Sequence, residues 1–84
     1  MTLEAADVRS RLRDYLLTQL IHRPGYPLKD DEAMISSGLI DSFSLAQIAV
    51  YVEDAFGVFL PDTDLTVDNM DTLDQMVAEI MREL

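Results

Sequence analysis

Few side chains in this sequence can do chemistry unaided, and the most distinctive of them is a serine. Gly38, Leu39, Ile40, Asp41, Ser42, Phe43, Ser44 and Leu45 lead from a stretch of weak periodicity into an apolar-striped helix, with Ser42 at the junction and a carboxylate directly before it. A hydroxyl placed there can attack a substrate or accept a covalent group. Attack needs a base, but the only histidine, His22, lies beside Pro24 and Gly25, and no G-x-S-x-G elbow surrounds Ser42. One histidine and no cysteine leave no transition-metal cluster and no disulfide. Asp62, Asp64, Thr66 and Asp68 have the spacing of the first ligands of a calcium loop, yet Val67 replaces its turn glycine and Leu73 its closing glutamate. A serine that is acted upon, and needs no base of its own, is the chemistry that remains.

The elements that must position Ser42 come from one small domain, residues 1–84. A chain of this size buries only roughly 60 to 65% of its unfolded surface, so stability rests on a lean apolar core. The charge is strongly acidic, −10 in all, and uneven: residues 30–81 hold twelve Asp or Glu and no Lys or Arg. Such a field repels nucleic-acid phosphates and anionic lipid and attracts basic partners. Charged residues break up the first twenty positions, and no later run is apolar enough to span a bilayer. A soluble, cytoplasmic monomer without membrane insertion is expected.

Periodicity predicts four helices and no strand. The first covers roughly Leu3 to Leu20, with Val8, Leu12, Tyr15, Leu16 and Gln19 at helical spacing, and ends before Pro24, Gly25 and Pro27. A connection of about twenty residues follows, a length that calls for a functional or packed loop. Met34, Ile35, Leu39 and Ile40 are the side chains expected to pin it. The second helix starts at Asp41 or Ser42, either of which can cap it, and runs to Phe56 before Gly57. At 100° per residue Leu45, Ile48, Ala49, Val52 and Phe56 share a core-facing stripe. The opposite side holds Phe43, Gln47, Val50 and Asp54, flanked by Ala46 and Glu53, a mixture of apolar and acidic groups suited to basic partners. After Leu60 and Pro61 at most one short helical turn is expected, near Val67 to Met70. The last helix is capped by Asp71 or Thr72 and carries Leu73, Met76, Val77, Ile80, Met81 and Leu84. The expected architecture is an all-α four-helix bundle, three helices long and one short, with a long first loop.

The segment Gly38 to Leu45 resembles the attachment motif of acyl and peptidyl carrier proteins, in which Gly, Asp and Ser have these spacings and the serine is modified. The long loop before it, the Glu53, Asp54, Ala55, Phe56 helix end, the Leu60-Pro61 break and the Thr72-Leu73 helix start extend the resemblance over nearly the whole chain. It implies an acyl-carrier-protein-like bundle that is not an enzyme. Ser42 would receive 4'-phosphopantetheine from coenzyme A through a phosphopantetheinyl transferase, and Asp41 would help hold that enzyme's divalent metal. The arm's thiol would then carry thioester intermediates between a loading enzyme and downstream enzymes of a fatty-acid, polyketide, nonribosomal-peptide or related pathway. Phe43, Ala46, Val50, Glu53 and Asp54 correspond to the partner-recognition face. Gln47 departs from the acid often found there, and the stretch Asp64 to Leu73 is closer to discrete carriers of specialised pathways and to D-alanyl carrier proteins. The attachment chemistry is common to fatty acyl, polyketide, aminoacyl and peptidyl cargo, so the motif leaves the cargo open. An unmodified acidic adaptor with a carrier-like fold is the alternative.

Overall fold

A computed structural model describes residues 3–84 and, among them, four α-helices and no strand. Helix α1, Ala5–Tyr15, places Val8 and Leu12 fully in the core, one helical turn apart. It continues without a break into a π-helical segment, Leu16–Leu20, that the sequence pattern does not reveal. Wider winding turns the chain less per residue and brings Leu20 and Ile21 back toward the core, against which they pack half-buried. Gln19, which the spacing puts near the apolar stripe, is exposed. The segment closes with Ile21 N–H on the Leu16 carbonyl and Arg23 N–H on that of Leu17. Between them His22 takes a left-handed φ of 60°, an uncommon conformation for a residue with a side chain. His22 itself is exposed at this helix end.

Helix α2, Ser44–Phe56, buries Leu45, Ile48, Val52 and Phe56 as its spacing predicts, with Ala49 half-buried. Gly57 ends it at φ 69°, where only glycine avoids a steric penalty, and donates its N–H to the Glu53 carbonyl. The segment after Pro61 makes two short helical turns instead of the single one expected: a 3₁₀ turn at Asp62–Asp64 precedes α3, Val67–Met70. Helix α4, Leu73–Glu83, settles the choice of cap. The Thr72 side chain accepts from Gln75 N–H, the Gln75 side chain accepts in return from Thr72 N–H, and Asp71 is free for another task. Leu73, Met76, Val77 and Ile80 are buried against α1, whereas Leu84 lies past the helix end and is 53% exposed. Buried Glu79, a charge within the core stripe, forms an ion pair with Arg82 on the next turn.

The long loop is not slack. Leu28, Met34 and Ile40 are buried in the core, and Tyr26, Ile35 and Leu39 pack half-buried against it. The Asp30 carbonyl accepts from Asp74 N–H, while its carboxylate meets Arg13 and, at 3.4 Å, Arg9 of α1. Arg9 also reaches Asp74, at 2.5 Å. A second tie runs through Asp71, whose carboxylate accepts from Ile35 N–H at 2.7 Å, Ser36 N–H at 3.0 Å and the Ser36 hydroxyl at 2.6 Å. Met34 N–H donates to the Asp71 carbonyl as well. The backbone N–H groups of residues 34–36 and the Asp30 carbonyl are thereby satisfied by Asp71 and Asp74.

Candidate functional site

Ser42 owes its position to the residues on both sides of it. Upstream, Gly38 turns the chain at φ 84°, a conformation that excludes most side chains, and its N–H donates to the Ile35 carbonyl at 3.1 Å. Ile40 N–H donates to the Met34 carbonyl at 3.0 Å, closing the turn, and the Ile40 side chain is anchored in the core at 5% exposure. Downstream, the Asp41 carboxylate accepts from Ser44 N–H at 3.1 Å and from the Ser44 hydroxyl at 3.3 Å. Of the two residues expected to start and cap the helix, Asp41 is the one whose side chain holds the first turn. Helix α2 itself begins later than expected, at Ser44, with Phe43 at the cap position and no side-chain cap bond of its own. Residues 41–45 form a tighter first turn, with Ser44 N–H on the Asp41 carbonyl and Leu45 N–H on the Ser42 carbonyl. Held between a buried isoleucine and a capped helix, Ser42 is exposed.

The neighbouring serines are placed differently. Ser44 is only 8% exposed and its hydroxyl is occupied by Asp41. Ser36 serves Asp71, and Ser37 donates to the Ala33 carbonyl within its own turn. Among hydroxyls of this segment, Ser42 is the one presented at the helix start.

Ala46, Val50, Glu53 and Asp54 are exposed on α2, as is Gln47, and Phe43, at the cap position just before it, is exposed as well. Phe43 at 85% and Val50 at 61% are among the most exposed large apolar side chains of the molecule. The outer side of α2 forms a ridge between two grooves. One, of about 450 Å³, runs toward α1 and is lined by Tyr15, Gln19, Leu20, Gln47, Val50 and Asp54. The other, of about 220 Å³, runs toward the segment after Gly57 and is lined by Ala46, Val50, Glu53, Phe59, Asp62 and Leu65.

Sequence reasoning missed what holds the ridge in place. Tyr15 and Tyr51 stack with ring centroids 4.1 Å apart, and Phe56 meets Tyr51 edge-on at 5.9 Å. The Tyr15 hydroxyl donates to the Gln47 carbonyl and the Tyr51 hydroxyl to that of Arg11, lacing α1 to α2 in both directions. Burial pushes both phenols above their ordinary range, for Tyr15 with help from Tyr51. The other missed residue is Phe59. Its signal is the alternation of Val58, Phe59 and Leu60, legible only once the segment is known to be extended: the outer two are 3% exposed and Phe59 is 68% exposed.

Chemically, the site offers an accessible hydroxyl and an acidic, partly apolar ridge. Among the described residues, no cluster of three or more His, Asp or Glu side chains is arranged to hold a metal, and no helix is long and apolar enough to cross a membrane. A search of curated proteins finds no match to the chain. The phosphopantetheine attachment site family matches residues 10–80, from within α1 to the last turns of α4. With that match over most of its length, on a four-helix bundle of the acyl-carrier kind, the chain belongs to the phosphopantetheine attachment site family, a family of carriers whose cofactor is covalently bound 4'-phosphopantetheine.

Proposed function

We propose that Ser42 is the attachment residue and that the chain works as a discrete carrier of thioester-bound intermediates, itself a substrate of a phosphopantetheinyl transferase. The observation that carries this reading is the exposure of Ser42 between a core-anchored Ile40 and a helix capped by its own neighbour, Asp41. Modification forms a bond between the serine oxygen and a phosphorus of coenzyme A while the pyrophosphate linkage breaks. The nucleotide leaves, and the serine proton passes to a base of the transferase. The bound arm supplies a terminal thiol for thioester formation.

The chain's own residues fit such a group. A phosphodiester on Ser42 would lie at the positive end of the α2 dipole, a placement worth roughly 0.3 to 1 kcal/mol at an exposed site. Exposed Asp41 and Phe43 on either side leave room for it. Asp41 keeps the first turn closed through Ser44, so the serine is offered on a rigid support, and its exposed carboxylate is suited to contacting the transferase's divalent metal. The α2 ridge, with Phe43, Ala46, Val50, Glu53 and Asp54, would meet basic patches on the transferase, on a loading enzyme and on enzymes that consume the thioester. A cytoplasmic monomer is the form in which we expect this exchange to occur.

Intact mass after incubation with coenzyme A, magnesium and a broad-specificity phosphopantetheinyl transferase tests the assignment. The expected result is one phosphopantetheine increment, absent in Ser42→Ala. No increment under conditions that modify a control carrier would return the chain to an unmodified acidic adaptor.

A further inference from the structure

We propose that the transferase holds this carrier by a second docking element, the Phe59 side chain and the groove between α2 and the segment after Gly57; the inference rests on the assignment of Ser42 as attachment residue. Phe59 lies outside the core while Val58 and Leu60 on either side are buried, so packing would be served equally well by a polar residue at this position. Its exposure is shared: among the described residues, Phe43, Val50 and Phe59 are three of the four most exposed large apolar side chains. Phe59 lines one groove with Ala46 and Val50, and Phe43, the residue just before α2, lies about one turn before Ala46. Phe43, Ala46 and Val50 thus form an apolar strip from beside Ser42 to the groove that Phe59 lines. Scattered surface apolar residues are ordinary, but a strip of large side chains around one groove marks an interaction surface.

Charge identifies the occupant. Glu53 and Asp62 line the same groove, and no described Lys or Arg pairs with either one. Arg82, the only cation past residue 29, is engaged by Asp64 and Glu79. A second copy of this chain would bring the same two carboxylates against their like, and a membrane or nucleic acid would be repelled by them. A protein with an apolar recess for Phe59, ringed by Lys or Arg, satisfies both features. Exposed aromatic anchors of this kind concentrate binding energy. The transferase must approach Ser42 at the start of α2, and a protein-sized surface seated there extends along α2 to Ala46 and Val50, about one and two helical turns on, which line the groove with Phe59.

The test is the kinetics of apo-protein modification, with coenzyme A and a broad-specificity transferase, for wild type, Phe59→Ser, Asp62→Lys and Leu84→Ser. Because the apo chain has neither arm nor cargo, any effect of Phe59 here belongs to enzyme docking. Phe59→Ser is expected to raise KM about tenfold with kcat within about twofold. Asp62→Lys should raise KM and reduce its dependence on salt. Leu84→Ser, an exposed apolar residue at the other end of the chain, should leave KM unchanged. The thermal midpoint of Phe59→Ser should equal that of wild type, separating docking from folding. An unchanged KM in Phe59→Ser, with wild type labelled normally on Ser42, overturns the docking element and leaves the attachment site intact. Failure of wild type to be labelled by an enzyme active on a control carrier overturns both.

Discussion

Replacing Asp71 with Asn should loosen the loop that delivers Ser42 while leaving every core side chain in place. The Asp71 carboxylate gathers three donors from residues 35 and 36, and it does so from the α3–α4 junction, far along the chain. An asparagine in the same position keeps an oxygen for the two backbone N–H groups, and the Ser36 hydroxyl can rotate to accept from the new amide. What is lost is charge assistance. Hydrogen bonds to an ionised acceptor are roughly twice as strong as neutral ones, which contribute about 0.5 to 1.5 kcal/mol each. Half-exposure and water replacement reduce the difference, and about 1 kcal/mol is expected for Asp71→Asn. That corresponds to roughly 4 to 8 °C in the midpoint of a domain this small. Asp71→Ala removes the acceptor entirely, strands two backbone donors and should cost about 2 to 3 kcal/mol.

The pH dependence gives the sharper check. Burial raises the Asp71 carboxyl pKa, but the Ser36 hydroxyl and the N–H groups of residues 34–36 outweigh it and hold the group below the ordinary carboxylate range. A folded-state pKa depressed below the unfolded value, about 4, stabilises fully above that pH and loses the contribution as pH falls through the lower folded value. The remaining acids protonate alike in both proteins. The gap in thermal midpoint between wild type and Asp71→Asn should therefore be constant near neutrality and shrink below about pH 4. Hydrogen exchange at the Ile35 and Ser36 amides should speed up in the variant at pH 7. Identical midpoints at pH 7, or a gap as wide at pH 3 as at pH 7, would refute the role of this carboxylate.

Two further outcomes follow from the charge distribution. Reversing Glu53 and Asp54 to Lys should weaken transferase binding and flatten its salt dependence, measured as KM across ionic strengths, and equal binding throughout would count against the α2 ridge. Sodium chloride should raise the thermal midpoint of the wild type, because screening over about 8 to 10 Å relieves repulsion among the exposed acids. The four acids paired with Arg9, Arg13 and Arg82 pull the other way, and a flat or falling midpoint would show that their pairing dominates.

What could be read from the sequence divides along the range of the interactions involved. The stripes of α2 and α4, the stop at Gly57 and the short α3 depend on neighbours within a turn or two, and periodicity with capping chemistry exposes them. The start of α2 is less legible: the pattern puts it two to three residues early and leaves its cap between Asp41 and Ser42. The π-helical segment escaped because Leu16, Leu17, Leu20 and Ile21 are compatible with ordinary α winding; only packing against the rest of the core selects the wider turn. Asp71 illustrates the same limit from the polar side. The Thr72 cap is closed locally by Gln75, whereas the donors on Ile35 and Ser36 that Asp71 holds are invisible from residues 68–75.

The candidate site combines the two kinds of information. Ser42 and Asp41 stand out in the sequence because they are adjacent at an expected helix start, with a glycine upstream, a pattern that resembles the carrier attachment motif. The means of holding them is non-local: α1 fixes Asp30 through Arg9 and Arg13, the α3–α4 junction fixes residues 34–36, and the core fixes Ile40. A loop tied at three places can be long without being loose, and this is why an entropically costly connection of some twenty residues is tolerated in so small a domain. The ties leave Ser42 itself uncommitted to any of these contacts, so an enzyme can take hold of the serine and the α2 ridge without first breaking the fold.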